Sequence, residues 1–441
     1  MPDSPATNRS LGFVSTTAIV VANMVGTGVF TSIGFQALGL TSPLSILLLW
    51  LVGGVLALCG ALTYGEVAAR IPRSGGEYAY LSTIYHPALG FVSGVVSLIA
   101  GFAAPIAAAA FAFGDYLGVV AGGGDGRVWG TVLVLLATLL HSLEVGTGAR
   151  AQNVFTALKV TLILVFIGLG LTSPVLAGEL SWRFLPAEVG SEAFAVSLVY
   201  VALAYSGWNA AVYIAAEVRE PTRTIPRALV AGTAIVLTLY VLLNYVFLRT
   251  VPMAELASAA AAGNTEFGAL SARALLGTTG GQVMAGLIAL GLVSAVSSMV
   301  MVGPRVTASA GDDFSAFRYL ARRNRHGVPA RALLLQLALA LLLLWTQRFN
   351  DIVKYVGFTL SLFTFLTVLG VFVLRRRGVG ASSQFRVPLY PVLPLVFLVI
   401  TGWMLYYLGL TDWRIALAGG ATLALGFAAY LLVRRRGEGP V

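Results

Sequence analysis

Long apolar runs, separated by short polar loops rich in arginine, divide this chain into about twelve segments. They fall at roughly 11–38, 43–66, 78–120, 128–143, 151–172, 192–216, 226–250, 279–304, 329–346, 350–374, 388–409 and 413–433. As helices, runs of this length cross a hydrocarbon layer of about 30 Å. The third run is too long for one span, so it is expected to begin as an interfacial stretch and to end near Tyr116. The pattern predicts an all-α integral membrane fold with twelve transmembrane helices and no appreciable soluble domain.

Two of these runs are interrupted where interruption is hardest to tolerate. The first contains Asn23-Met24-Val25-Gly26-Thr27-Gly28-Val29-Phe30, and its two glycines weaken the helical hydrogen-bond ladder at mid-depth. Lipid offers no substitute partners, so such a break belongs where the backbone faces a protein cavity or a tightly packed neighbour. About 180 residues later the sixth run reads Leu203-Ala204-Tyr205-Ser206-Gly207-Trp208-Asn209, again with small residues at mid-span. Each break opens a series of five spans. Paired breaks of this kind point to a carrier made of two repeats of opposite orientation, residues 11–172 and 192–374. Residues 388–433 then form two additional helices, and 1–441 is one transmembrane domain.

Composition agrees with that class. Of 441 residues, 58% are hydrophobic and 10% charged, and the mean hydropathy is +0.88. The formal net charge of +10 would suggest a nucleic-acid partner only if the cations were clustered on a soluble surface. With the amino terminus inside, twenty of the 28 Lys and Arg fall in inner loops and tails, seven fall outside, and Lys159 lies within a span. This asymmetry predicts cytoplasmic N- and C-termini, with basic loops meeting anionic lipid and no nucleic acid as partner. Residues 1–10 carry no basic stretch or small-residue cleavage site, so no cleaved signal is expected and the first span serves as the targeting element. The expected location is the plasma (inner) membrane of a prokaryote.

At this point the residues resemble the amino acid–polyamine–organocation superfamily. Gly26-Thr27-Gly28 matches its first-helix signature. Tyr64-Gly65-Glu66 and Arg70 through Gly75-Gly76-Glu77-Tyr78 are similar to its loop after the second span. Tyr205–Asn209, with Glu217 through Pro221 and Ile225-Pro226-Arg227-Ala228, resembles the sixth-helix region of the L-type, neutral amino acid branch; Gly303-Pro304-Arg305 and His326-Gly327-Val328-Pro329 fit as well. The resemblance implies a LeuT-like 5+5 inverted repeat with interrupted helices 1 and 6. It also implies secondary active transport of amino acids by alternating access, and no enzymatic activity.

Such a site must hold a carboxylate and an ammonium group together, away from water. Helix N-termini attract anions and C-termini cations. The substrate carboxylate is therefore expected at Gly26, Thr27 and Gly28, and the amine at the backbone carbonyls of Met24, Leu203 and Ser206. Gly207, Trp208 and Asn209 are expected to line the side-chain pocket, although Trp208 is equally well read as a packed aromatic. No Asp or Glu occupies the central part of spans one, three, six or eight, which favours neutral L-amino acids over cationic amino acids or polyamines.

Lys159 has no acidic residue within four positions on span five. The resemblance implies that its ammonium replaces a sodium ion behind the first-helix break. That predicts a sodium-independent carrier, with proton coupling as the expected mode and exchange (antiport) as the alternative. Ser294 and Ser297 could line the same locus, or simply bond back to their own helix. No cofactor or metal is expected beyond the coupling proton. Glu217 with Arg219, Arg223 and Arg227 is a candidate inner ion-pair network. Eukaryotic relatives join a heavy subunit through an extracellular cysteine; the one cysteine here, Cys59, lies inside the second span, so no disulfide-linked heavy subunit is expected.

Overall fold

The computed structural model describes residues 11–435 except 27, 72–75, 144–147, 177–181, 314, 325–326 and 381–384. Among the described residues every regular element is a helix. In chain order these are α1 (Phe13–Met24), α2 (Gly28–Thr31), α3 (Ile33–Ala37), α4 (Pro43–Arg70), α5 (Glu77–Ile84), α6 (Pro87–Val96), α7 (Ala104–Ala121), α8 (Gly126–Ser142), α9 (Gly148–Thr172), α10 (Pro186–Val189), α11 (Glu192–Ala204) and α12 (Ala210–Tyr213). There follow α13 (Pro221–Thr250), α14 (Met253–Ala261), α15 (Phe267–Asp313), α16 (Ser315–Ala321), α17 (Ala330–Thr346), α18 (Phe349–Arg377), α19 (Val392–Thr411) and α20 (Trp413–Arg435).

Among the described residues eight stretches are long and apolar enough to cross a membrane: Phe13–Thr31, Pro43–Arg70, Pro87–Ala121, Pro221–Thr250, Phe267–Ala308, Phe349–Arg377, Val392–Thr411 and Trp413–Leu432. Gly126–Ser142, Thr156–Thr172, Glu192–Ala204 and Ala330–Thr346 are apolar but shorter. Glu192–Ala204 is short because the helix stops at the second break, as the Ser206-Gly207 pair predicts.

Local chemistry explains where several boundaries fall. Pro43, Pro87 and Pro221 stand in the first turns of α4, α6 and α13, where a missing N–H costs nothing. The third run divides at its start as its excess length predicts, with Glu77–Ile84 a separate short helix, but its far end differs: the long helix continues past Tyr116 to Ala121, where Gly122 at φ 76° closes it. Between α6 and α7 the residues Ser97–Ala103 widen into a π stretch just before Pro105. A proline ring displaces the carbonyl four residues back, and a wider turn makes room for it. Within α15 the backbone leaves helical geometry at Gly277, φ 73° and ψ −174°, so a separate helix from Phe267 precedes the eighth run, which starts just after that kink, close to the expected residue 279.

Lipid tails are as apolar as leucine, so close packing at small residues joins these helices in place of a drive to leave water. A β-carbon on Gly53 would lie 2.3 Å from Val201, and one on Gly232 would lie 2.6 Å from Val20. α1 thus packs on α13, while α11 packs on α4. Away from these contacts large apolar side chains face outwards, among them Leu136, Leu139, Val399 and Leu410.

Two opposite ends of the bundle are closed by polar contacts. At the end bearing the start of α1, Leu11 forms a parallel bridge with Val218: its N–H donates to the Glu217 carbonyl at 3.1 Å, and the Arg219 N–H donates back at 2.9 Å. On the same side the buried Glu66 carboxylate accepts from Arg70 Nε at 2.8 Å, Arg375 Nη2 at 2.6 Å and the Val387 N–H at 2.7 Å. At the far end Glu188 accepts from the Thr41 hydroxyl and N–H at 2.5 and 2.9 Å, and Lys354 pairs with Asp412 at 3.1 Å.

Candidate functional site

The first break follows directly from the local sequence. α1 ends at Met24, Val25 leaves helical geometry at φ −74°, ψ 84°, and the helix resumes at Gly28. Thr27, expected to contact the carboxylate, lies outside the described residues. The Met24 carbonyl accepts the Gly26 N–H at 2.8 Å and the Tyr240 hydroxyl at 2.7 Å. Both lone pairs are therefore in use, one of them by a hydroxyl on α13 that no local pattern points to.

The second break begins after Ala204, and five turn residues separate it from α12. The Leu203 carbonyl accepts the Ser206 N–H at 3.0 Å, whereas among the described residues no group donates to the Ser206 carbonyl. Gly207 sits at φ 93°, where side chains are strained, and a β-carbon there would lie 2.7 Å from the Asn23 carbonyl oxygen. On Gly28 such a carbon would lie 2.7 Å from the Ala204 Cα. The two breaks are thus pressed together backbone to backbone. Small residues were legible in the sequence as breaks; their mutual contact was not.

Of the expected pocket residues, Trp208 is 7% exposed and packed edge-on against Tyr64, with ring centroids 4.7 Å apart, beside Gly60. Its ring fills the space between the second break and α4, as a packed aromatic would. Asn209 is half-buried and its Nδ2 donates to Glu77 Oε1 at 2.6 Å. The same carboxylate accepts the Tyr64 hydroxyl at 2.9 Å and the Tyr213 hydroxyl. One acid at the start of α5 therefore ties α4, the second break and α12 together. In the sequence Glu77 stands only as one member of the loop motif after the second span. The signal that could have singled it out is a carboxylate directly after two glycines in a chain with so few acids.

Lys159 lies on α9 with its aliphatic stem along α15: a β-carbon on Gly291 would be 3.2 Å from its Cε. Among the described residues no hydrogen bond or ion pair is made by its ammonium. Ser294 is buried one turn further along α15. Ser297 is turned elsewhere, its hydroxyl 2.8 Å from Nε2 of His141 on α8. In the loop network expected around Glu217, Arg223 pairs with Glu220 at 3.7 Å on the exposed surface. The tighter cluster on this side is Glu66 with Arg70 and Arg375.

On the far side, aromatic rings close over the start of the second half of the first helix. Phe35 stacks on Tyr200 at 5.7 Å and meets Phe267 and Phe349 at 5.9 Å each. Tyr116 donates to the Phe30 carbonyl at 3.1 Å and accepts the Gly268 N–H at 3.2 Å. Leu11 and Val218 bridge on the other side, while Asn23 beside the first break is exposed.

A family model described as amino acid permease matches residues 11–426. The serine/threonine exchanger SteT of Bacillus subtilis (strain 168) is 26% identical over 95% of this chain and 95% of its own length. The b(0,+)-type amino acid transporter 1 of Mus musculus is 26% identical over 89% of this chain and 81% of its own. The large neutral amino acids transporter small subunit 2 of Mus musculus is 26% identical over 97% and 81%.

Proposed function

Because the chain belongs to the amino acid permease family, we propose that it carries neutral L-amino acids across the plasma membrane by alternating access at the paired breaks. The observation that carries this reading is the backbone contact of Gly28 on Ala204 and of Gly207 on the Asn23 carbonyl. Two interrupted helices meeting back to back bring the orphan backbone groups of both to one place.

In this reading twelve helices span the membrane, the four shorter ones included, with both termini in the cytoplasm. The inverted repeat is supported by a reciprocity: α1 packs on α13, the helix after the second break, and α11 packs on α4, the helix after the first. Gly26, Thr27 and Gly28 hold the substrate carboxylate. The Ser206 carbonyl, with Leu203, receives the amine; Met24 joins only when Tyr240 gives up its hydrogen bond. Gly207, Trp208 and Asn209 bound the side chain. Cys59 is buried in α4, so any heavy subunit would have to associate without a disulfide.

Lys159 stands in for a bound cation, which makes transport independent of sodium. An unpartnered ammonium favours proton symport, with Ser294 and Ser297 as a further polar locus; the full-length similarity to an exchanger favours antiport. Uptake by purified protein in proteoliposomes separates these modes. Labelled neutral and cationic amino acids are supplied without sodium, with and without an inward proton gradient, to wild type and Lys159→Ala. Accumulation driven by the gradient and lost in the variant means symport. Uptake that needs internal amino acid and ignores the gradient means exchange. Absence of flux for every amino acid despite binding overturns the carrier reading.

A further inference from the structure

Away from the paired breaks, one face of the bundle carries a groove of about 390 Å³. Phe113 and Leu117 of α7, Trp129 and Leu140 of α8, and Val293 and Ser297 of α15 line it. Among the described residues no charged side chain lines it, and the Ser297 hydroxyl is engaged 2.8 Å from His141 Nε2. Such a wall suits a hydrocarbon, because a polar ligand would lose its water there without new partners. From Trp129 to Leu140 the groove follows α8 for roughly 16 Å, at a helical rise of about 1.5 Å per residue. That is about half of a hydrocarbon layer of roughly 30 Å, the depth of an acyl chain from one leaflet.

The two ends of the groove differ in charge. Where α8 begins, Asp125 caps the helix, and Arg127 is committed to the Trp345 and Gln347 carbonyls at 3.5 Å each. Where α8 finishes, His141 and Arg305 line a second, smaller hollow beside Pro304 and Pro329. The His141–Ser297 contact joins the two spaces, since His141 lines one and Ser297 the other. Asn324 Nδ2 donates to the Ser142 carbonyl at 3.3 Å, which brings the exposed Arg322 and Arg323 to the same helix end. Arg305 is exposed as well. An apolar groove one leaflet deep, with cations gathered at one mouth, matches an anionic phospholipid in both shape and charge.

From this continuity we propose that the groove between α7, α8 and α15 binds an anionic phospholipid of the cytoplasmic leaflet, one acyl chain along α8 and the phosphate at Arg305. Arg322 and Arg323 add attraction at the headgroup. A zwitterionic lipid fills the groove equally well, but its own cation offsets that attraction. The lipid bears on α15: Val293 and Ser297, one turn apart, face the acyl chain, while Gly291 on the same helix meets the Lys159 stem. A bound lipid therefore braces the helix against which Lys159 packs. The choice of leaflet rests on the orientation proposed above; the lipid chemistry is independent of transport.

Native mass spectrometry reads this binding without any uptake measurement. The purified protein is delipidated in detergent and titrated with dioleoyl phosphatidylglycerol or dioleoyl phosphatidylcholine. Wild type is expected to bind the anionic lipid about tenfold more tightly, the pull of one or two arginines near a membrane surface. Arg305→Gln should bring the two lipids to within about twofold of each other. Val293→Trp fills the groove without changing charge and should abolish tight binding of phosphatidylglycerol. Leu139→Trp, on an exposed part of α8 outside the groove, should leave it intact. Should Val293→Trp not fold, Leu136→Trp blocks the same groove. Equal affinity for both lipids in wild type overturns the proposal. So does an Arg305→Gln or groove-blocked protein that keeps the full preference, because the arginines would then act as a diffuse basic surface. Displacement of the lipid by millimolar inorganic phosphate is equally fatal, since the groove would then contribute nothing.

Discussion

A β-carbon placed on Gly28 would come within 2.7 Å of the Ala204 Cα and 2.8 Å of its Cβ. Real side-chain carbons do not approach a backbone that closely, so Gly28→Ala must push the two breaks apart. Overpacking of this kind costs about 1–3 kcal/mol. Gly26→Ala is the control, because its added carbon meets nothing nearer than the Met24 carbonyl at 3.9 Å. Thermal unfolding of the purified protein should drop for Gly28→Ala and for Gly207→Ala and stay close to wild type for Gly26→Ala. Equal melting temperatures for Gly26→Ala and Gly28→Ala would mean that the breaks do not touch in the membrane.

The Glu66 carboxylate is fully buried between the Arg70 and Arg375 guanidinium groups, 2.8 and 2.6 Å away. Removing the acid leaves two cations without compensation where α4 meets α18. Glu66→Ala is expected to cost about 3–5 kcal/mol, read as a large fall in melting temperature. Adding Arg375→Ala to Glu66→Ala should cost less than the sum of the two single changes, because the residues act as one unit. Strict additivity would argue against the cluster.

Stability and transport should diverge at Lys159. A cation inside a span with no described partner costs folding energy and persists for function. Lys159→Met keeps the stem that lies against Gly291 and removes the charge. Its melting temperature is expected to equal or exceed that of wild type, while uptake falls at least about tenfold. A variant that loses stability and transport in parallel would make Lys159 a structural residue only.

Glu188, in α10 on the far side, gives a pH test. Partial burial alone would raise its pKa, but hydrogen bonds from the Thr41 hydroxyl and N–H and the Ser42 N–H outweigh that and hold it below the usual glutamate value. A depressed folded-state pKa contributes stability above the unfolded value of about 4.3, and this is lost as pH falls through the folded value. The melting-temperature gap between wild type and Glu188→Gln should therefore be full near about pH 6 and narrow as pH falls below about 4. A gap that does not change with pH would mean that the carboxylate contributes through shape alone.

The amino-acid sequence by itself determined that the chain lies in a membrane and where two of its helices break. Apolar length and glycine position are local properties, and lipid, which cannot replace a lost hydrogen bond, turns them into strong constraints. It also placed Lys159 within a span and Asn209 beside the second break. Which groups meet was decided only by the tertiary structure. Asn209 finds Glu77 across 132 residues, and Glu66 finds Arg375 across 309. The Met24 carbonyl, free on paper, is filled by Tyr240, while Ser297 turns from Lys159 to His141. These partnerships depend on helix crossing and on the direction in which each side chain leaves its helix. Neither is encoded in the period of apolar residues, because inside a membrane that period only separates the faces that meet protein from those that meet lipid.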